Sequence, residues 1–381
     1  MDNPFQYGAE LKPEQIVDRK LEIRDTARAV TEQGRLFLIG PRRFGKSAIL
    51  RAAATQARGA GAIVLLLDAE AYPDTAGLVG ALVTESAKAL KSDVSRTGER
   101  ILRFFSRLRP MITYNPLEGS WTGGVNVDGN PDSDQTPMLI EALDGIGRLA
   151  ADTGKPVAIM IDEFHKALRW GAESAEGQIR AAVQRHPEVG FVFSGSKTTL
   201  LNDMTLNPAR PFYRMGIRHF LGPLPREEFR PFIAQGFERG GHHANPNAVE
   251  YILDCAEDVP YNVQALASTL WERLRDEPRC EVTQDLVREA LKLLVARDSP
   301  FYVTLWNGLT NVQQRVLSAV VAEKSMGLTS GAVTRRHAVS ASTMSKTLRL
   351  LEEREILRRE EQPGSVRWRL EDPFFAAWLA P

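Results

Sequence analysis

Residues 40–47, Gly40-Pro41-Arg42-Arg43-Phe44-Gly45-Lys46-Ser47, set two glycines five positions apart, with a lysine and a hydroxyl directly behind the second. Glycine tolerates backbone angles that turn consecutive N–H groups inward, and such a concavity binds anions. Lys46 would then reach the β- and γ-phosphates of a nucleoside triphosphate, and the Ser47 hydroxyl would ligate Mg²⁺. A second cluster, Asp162-Glu163, ends an apolar run. There Asp162 would hold the metal and Glu163 would orient or deprotonate an attacking water; the alternative is a pair of helix-capping carboxylates. Ser194 and Ser196 follow a third apolar run and are candidates for the γ-phosphate or the water, with helix capping as the competing reading. Arg214, and less so Arg210, could neutralise charge on a transferring phosphoryl group, from its own subunit or a neighbour's.

These groups need strands to deliver them and a helix to receive the anion. Leu36–Ile39 leads into the glycine loop and Ala48–Ala54 continues it as a helix, the order a phosphate cradle requires. Ala62–Leu67, Val157–Ile161 and Gly190–Phe193 are further apolar runs of strand length, the pattern of a parallel sheet buried on both faces, and Ile217–Leu221 is read as a fifth strand. The acidic pair then lies at a strand's C-terminal end, where ligands of open α/β sheets gather. Helices are predicted from about Pro13, over Gly77–Lys91 and over Met138–Asp152. Between the last two, residues 109–137 are rich in Gly, Pro, Asn and Asp and predict an inserted hairpin with strands at Met111–Tyr114 and Gly124–Val127.

A chain of 381 residues exceeds the size of one core, and the pattern divides it into an α/β core over 1–223, a helical lid over 224–300 and a third unit over 301–381. The lid is read as four helices, Pro225–Arg239, Pro246–Ala256, Val263–Asp276 and Thr283–Arg297. In the third unit, helices over Gln313–Glu323, Thr329–His337 and Met344–Arg354 precede an alternating segment folded at Pro363-Gly364, which predicts a winged helix. It carries 11 Lys and Arg against 8 Asp and Glu, a net +3, with Thr343, Ser345, Lys346, Arg349, Arg358, Arg359, Arg367 and Arg369 placed to meet DNA. Winged helices also dock proteins, so both partners stay open. Phe5 and Tyr7 are candidates for an apolar wall over a nucleotide base, or for core aromatics.

Composition narrows the class. Lys and Arg balance Asp and Glu at 48 each, which excludes a globally basic nucleic-acid coat. Two cysteines, Cys255 and Cys280, make no disulfide framework and have no metal-ligand spacing, so a reducing, cytoplasmic setting is expected. No apolar run reaches membrane-spanning length and no leader pattern opens the chain. His242-His243 lacks matching ligands for a metalloenzyme, and no nucleophile elbow supports Ser-His-Asp hydrolysis.

With Asn3-Pro4-Phe5, Arg19–Ile23, the Gly-Pro-Arg-Arg loop, Ile161–Phe164, Phe193–Ser196, Phe212–Arg214 and the terminal Asp372-Pro373-Phe374-Phe375-Ala376-Ala377-Trp378-Leu379, the chain resembles the archaeal-type P-loop ATPase family of the AAA+/STAND-like, ASCE division. The resemblance implies a five-stranded ATPase core, a helical lid, a C-terminal winged helix, Mg-ATP as ligand and oligomeric or switch behaviour. Residues Gly40 to Ala48 would then bind ATP, Ser47 and Asp162 the Mg²⁺, and Glu163, Lys46, Arg214 and Ser196 would serve hydrolysis. One departure is Asp258–Asn262, where the family carries a glycine-glycine-asparagine-proline type of lid motif. Two functions follow as expectations: an ATPase that moves its lid and winged helix on double-stranded DNA, or a slow signalling switch whose winged helix binds a protein.

Overall fold

The computed structural model describes residues 2–8, 11, 15–90, 93–125, 134–171, 174–196, 198–362 and 365–380. Their contacts separate two units: Arg19–Pro41 with Gly45–Gly222, and Met1–Asp18 with Arg42–Phe44 and Pro223–Pro381.

In chain order the first unit runs α1 (Lys20–Thr31), β1 (Arg35–Ile39), α2 (Lys46–Gly59), β2 (Ile63–Asp68), α3 (Thr75–Ala89), α4 (Val94–Phe104), β3 (Pro110–Asn115), β4 (Ser120–Val125), α5 (Thr136–Thr153), β5 (Val157–Asp162), α6 (His165–Arg169), α7 (Ala175–Arg185), β6 (Val189–Gly195), α8 (Thr198–Leu206) and β7 (Ile217–Phe220). Five parallel strands form one sheet in the order β2-β5-β6-β1-β7. Its strands are the five expected segments; for β1, β2, β5 and β6 the reason is burial from both sides, while β7 is a partly exposed edge strand. Phe37, Ile39, Leu65, Leu67, Ile159, Ile161, Phe191 and Phe193 join one apolar cluster with α3, α5 and α7. The residues between them, Leu36, Leu38, Val64, Ala158, Met160 and Val192, are buried as well. β6 sits between β1 and β5, pairing Ile39 with Gly195 and Ile161 with Phe193, so the tips of three strands end side by side.

The expected helix from about Pro13 is corrected: residues 12–14 lie outside the described set, and α1 begins at Lys20. Asp18 and Arg19 take left-handed φ of 54° and 65°, which no helix can propagate through. The inserted hairpin is present, and its second strand begins earlier than expected, running Ser120–Val125; residues 126–127 lie outside the described set. Gly123 has no strand propensity, yet only glycine fits there: a Cβ would lie 2.9 Å from Val83 and Thr84 of α3, and its N–H donates to Thr84 Oγ1 at 2.7 Å.

The second unit contains α9 (Arg226–Arg239), β8 (His243–Ala244), α10 (Pro246–Ala256), α11 (Pro260–Leu274), β9 (Glu281–Val282), α12 (Gln284–Asn307), α13 (Asn311–Ala322), α14 (Gly331–Arg336), α15 (Ala341–Glu353), β10 (Leu357–Gln362), β11 (Ser365–Leu370) and α16 (Pro373–Leu379). From α13 onward it is a winged helix, with β10 and β11 paired antiparallel as the wing. Residues 363–364, the expected turn, lie outside the described set. α12 passes through Pro300 to Asn307 instead of stopping at Arg297, and Tyr302 inside it is buried against Phe375 of α16. Phe5 proves a core aromatic: it is 1 % exposed, 5.0 Å from Phe237 and 5.7 Å from Phe232, in space that any Cβ on Gly236 would fill. Among the described residues no helix is long and apolar enough to cross a membrane.

Candidate functional site

Gly40 closes β1, and a Cβ there would lie 2.7 Å from Leu221 Cβ and 3.0 Å from Leu221 O, so the loop leaves the sheet only through glycine. Gly45 turns the chain into α2 at φ 91°, again a left-handed angle. No side chain caps α2, which leaves its first N–H groups and its positive dipole end to an external anion. Lys46 is 5 % exposed, and its Nζ donates to Pro41 O at 2.9 Å across the loop. A buried ammonium at the mouth of the loop suits an incoming phosphate oxygen. Ala48 is buried behind Ser47. Arg42, Arg43 and Phe44, the middle of the same loop, make their contacts within the second unit.

The acidic strand tip meets the loop within the first unit. Ser47 Oγ donates to Asp162 Oδ2 at 2.6 Å, and Ser194 Oγ donates to Asp162 Oδ1 at 2.5 Å. Asp162, 5 % exposed, is thereby fixed between α2 and β6. Glu163 takes a left-handed φ of 49°, a strained position at the strand end. Its Oε2 accepts the Ser196 N–H at 2.9 Å and the Ser196 hydroxyl at 3.0 Å. Burial works against the Glu163 charge. The imidazole of His165, 3.2 Å away, the Lys46 ammonium and the Ser196 N–H outweigh it and bring the carboxyl down to about 2. Asp68 is the register partner of Asp162 on β2, and its carboxyl is pushed up, first by burial and also by the charge of Asp162.

Ser47, Asp162, Glu163, Ser194 and Ser196 are therefore joined in one hydrogen-bonded network, with the Lys46 charge acting on Glu163; the two arginines are not part of it. Arg210 pairs with Glu176 at 2.5 Å and Asp203 at 3.4 Å. Arg214 is exposed, with left-handed φ of 53° and its guanidinium over Tyr213 at 5.3 Å. His165, fully buried beside Glu163, and Asp68 escaped the sequence reading. The signal for His165 is its place two residues after the catalytic candidate; Asp68 becomes visible only once β2 is registered against β5.

The set fits a magnesium ion. Ser47 and Asp162 present hard oxygen donors at one point, and among the described residues no group of three or more His, Cys, Asp or Glu forms a protein cage for metal. Mg²⁺ is commonly held by one or two protein oxygens together with substrate phosphates and water.

On the winged helix, α15 presents Ser342, Thr343, Ser345, Lys346 and Arg349 to solvent. Two of the arginines expected at DNA are turned away. Arg358 is 4 % exposed and donates to Leu370 O at 2.7 Å and to Glu257 at 2.5 Å; Arg369 pairs with Glu257 at 2.9 Å and Glu360 at 2.8 Å. The physical reason is register. Arg358 and Arg369 face each other across the wing, and two like charges there need the carboxylates between them.

A family model described as a probable winged helix domain matches residues 300–381. None of the curated proteins matches the chain. Among solved structures, a Walker-type ATPase of Pyrococcus abyssi superposes with TM-score 0.63 at 17 % identity, covering 99 % of both chains. The ORC2 protein of Aeropyrum pernix superposes with TM-score 0.57 at 15 % identity as ADPNP–ADP complexes, covering 99 % of this chain and 95 % of that one. Its ADP form gives 0.53 at 14 % identity, over 99 % and 98 %. The fold is thus that of P-loop ATPases, an α/β core with a five-stranded parallel sheet and a C-terminal winged helix.

Proposed function

We propose that the protein is a Mg²⁺-dependent ATPase whose nucleotide cycle moves its helical lid and winged helix, and that it acts on double-stranded DNA. The observation that carries this reading is the hydrogen-bonded network of Ser47, Asp162, Ser194, Glu163 and Ser196 at the tips of β1, β5 and β6, with the Lys46 ammonium acting on Glu163 through its charge. Gly40 to Ala48 bind the triphosphate through loop and helix N–H groups, with Lys46 on the β- and γ-phosphates. Ser47 and Asp162 hold the Mg²⁺, which when bound spreads the negative charge of the transferring group. Phosphoryl transfer passes through a loose transition state that needs a water aligned more than a water deprotonated. A carboxyl as acidic as Glu163 is a poor proton acceptor and a good fixed acceptor for such a water, and Ser196 orients it. Arg214, exposed and outside its own network, acts on the nucleotide of a neighbouring subunit in a homo-oligomer. The polar face of α15, with Thr343, Ser345, Lys346 and Arg349, contacts the duplex. Two cysteines that form no disulfide fit a reducing, cytoplasmic setting.

Phosphate release measured with Mg-ATP tests the reading. The parent turns over, and Glu163→Gln keeps nucleotide bound while turnover falls about 100-fold or more. Parent turnover at the level of buffer contradicts hydrolysis. A second reading, the slow switch with a protein on the winged helix, is favoured by one observation: Ser196 already occupies Glu163 Oε2 twice, so the carboxylate must exchange partners before it meets water. Long retention of ATP by the parent, with turnover near background and no DNA retained at low salt, selects the switch.

A further inference from the structure

The middle of the phosphate loop carries charges that anion binding does not require, because backbone N–H groups supply the cradle. Each of its three residues is instead engaged by the winged helix. Arg42 Nε lies 2.7 Å from Oε2 of Glu355, two residues beyond the end of α15. Arg43 Nη1 lies 2.8 Å from Asp372 Oδ2. Phe44, 2 % exposed, has the guanidinium carbon of Arg358 5.9 Å from its ring centre. The acidic partners are themselves anchored: Asp372 Oδ1 accepts the Phe374 N–H at 2.9 Å and caps α16, and Oδ2 accepts the Tyr302 hydroxyl at 3.2 Å. Arg43 also has its guanidinium 5.0 Å from the ring centre of Tyr261, and its carbonyl accepts the Tyr261 N–H at 3.3 Å. These contacts hold Arg43 at φ 70°, a left-handed angle a non-glycine residue adopts only when its surroundings fix it.

We infer that Asp372 and Glu355 are positioning residues for the phosphate loop, holding the backbone of residues 42–44 in the shape that receives the nucleotide. The inference rests on the ATP-binding reading above and deepens it: the C-terminal module supplies part of the nucleotide site's rigidity. Affinity is gained because the loop is ordered before the ligand arrives. Anything that draws the winged helix off those arginines then weakens nucleotide binding, and by linkage nucleotide weakens that competitor to the same degree.

The test is titration of a fluorescent non-hydrolysable ATP analogue with Mg²⁺ into the full chain. Asp372→Asn retains an oxygen for the α16 cap while replacing the Oδ2 that meets Arg43 and Tyr302 by an uncharged NH2, and Glu355→Gln removes the charge that meets Arg42. Each is expected to raise Kd roughly three- to tenfold, with melting temperature close to the parent's. Arg42→Glu alone weakens binding similarly, and adding Glu355→Arg to it recovers most of the loss, which a merely structural role at either site would not produce. Unchanged Kd in both single variants overturns the inference. So does tighter binding, which would make the contacts a restraint against nucleotide. If the parent holds no analogue, the ATP-binding reading fails instead. Amide exchange at residues 44–46 of the nucleotide-free chain then still decides the inference: faster in Asp372→Asn supports it, unchanged overturns it.

Discussion

Glu163 shows how a residue's neighbours select its chemistry. Its carboxyl would ordinarily titrate near 4.5 and is held at about 2 in the fold, with burial opposed by His165, Lys46 and the Ser196 N–H. A depressed carboxyl contributes stability that is complete above its unfolded value and is lost as pH falls toward the folded one. The stability difference between parent and Glu163→Gln should therefore stay constant from about pH 8 to pH 5. It should shrink between about pH 4.5 and pH 2, as urea unfolding at stepped pH would show. A difference that narrows instead between pH 8 and 6 contradicts the assignment. The candidate site was largely legible at this scale. A glycine loop with Lys46-Ser47, an acidic strand tip and a serine strand tip are local patterns, and their joining follows from strand order. The surroundings of Arg210 were not legible, because whether an arginine faces phosphate or a carboxylate such as Glu176 depends on packing that no local spacing encodes.

At the scale of elements, β1, β2, β5 and β6 announced themselves because a parallel sheet covered on both faces leaves continuous apolar runs, while short elements under tertiary control did not. β4 runs through Gly123 and Gly124, which local propensity rejects and contact with α3 demands. α1 starts late because two left-handed residues precede it. Gly40 joins β1 to the loop at a distance from Leu221 that no side chain permits. Gly40→Ala should accordingly cost about 1–3 kcal/mol in denaturant unfolding, and a loss under a few tenths would mean that the strand–loop junction relaxes freely. The wing illustrates the same lesson for function: alternation correctly yields a hairpin, yet Arg358 and Arg369 face inward to Glu257. DNA retention should then depend on Lys346 and Arg349. Replacing either with alanine should lower the log–log salt slope by about 0.9, whereas an unaltered slope in both would remove α15 from the interface.

For the molecule as a whole, the strand tips gather charged groups at the glycine loop, and two carboxylates of the C-terminal module pair with Arg42 and Arg43 of that loop. The broad architecture was readable because each part carries its own periodicity and the chain is long enough to hold several. The assignment of Arg42–Phe44 to the winged-helix unit was not, since ion pairs with Glu355 and Asp372 span more than 300 residues of sequence. Everything functional depends on Lys46 and its loop gripping a triphosphate. The decisive measurement is calorimetric titration of a non-hydrolysable ATP analogue with Mg²⁺ into the parent and into Lys46→Ala, both shown to be folded. The account predicts saturable one-site binding by the parent and roughly 10- to 100-fold weaker binding by the variant. Equal affinity in the two proteins, or no binding by the parent, contradicts it.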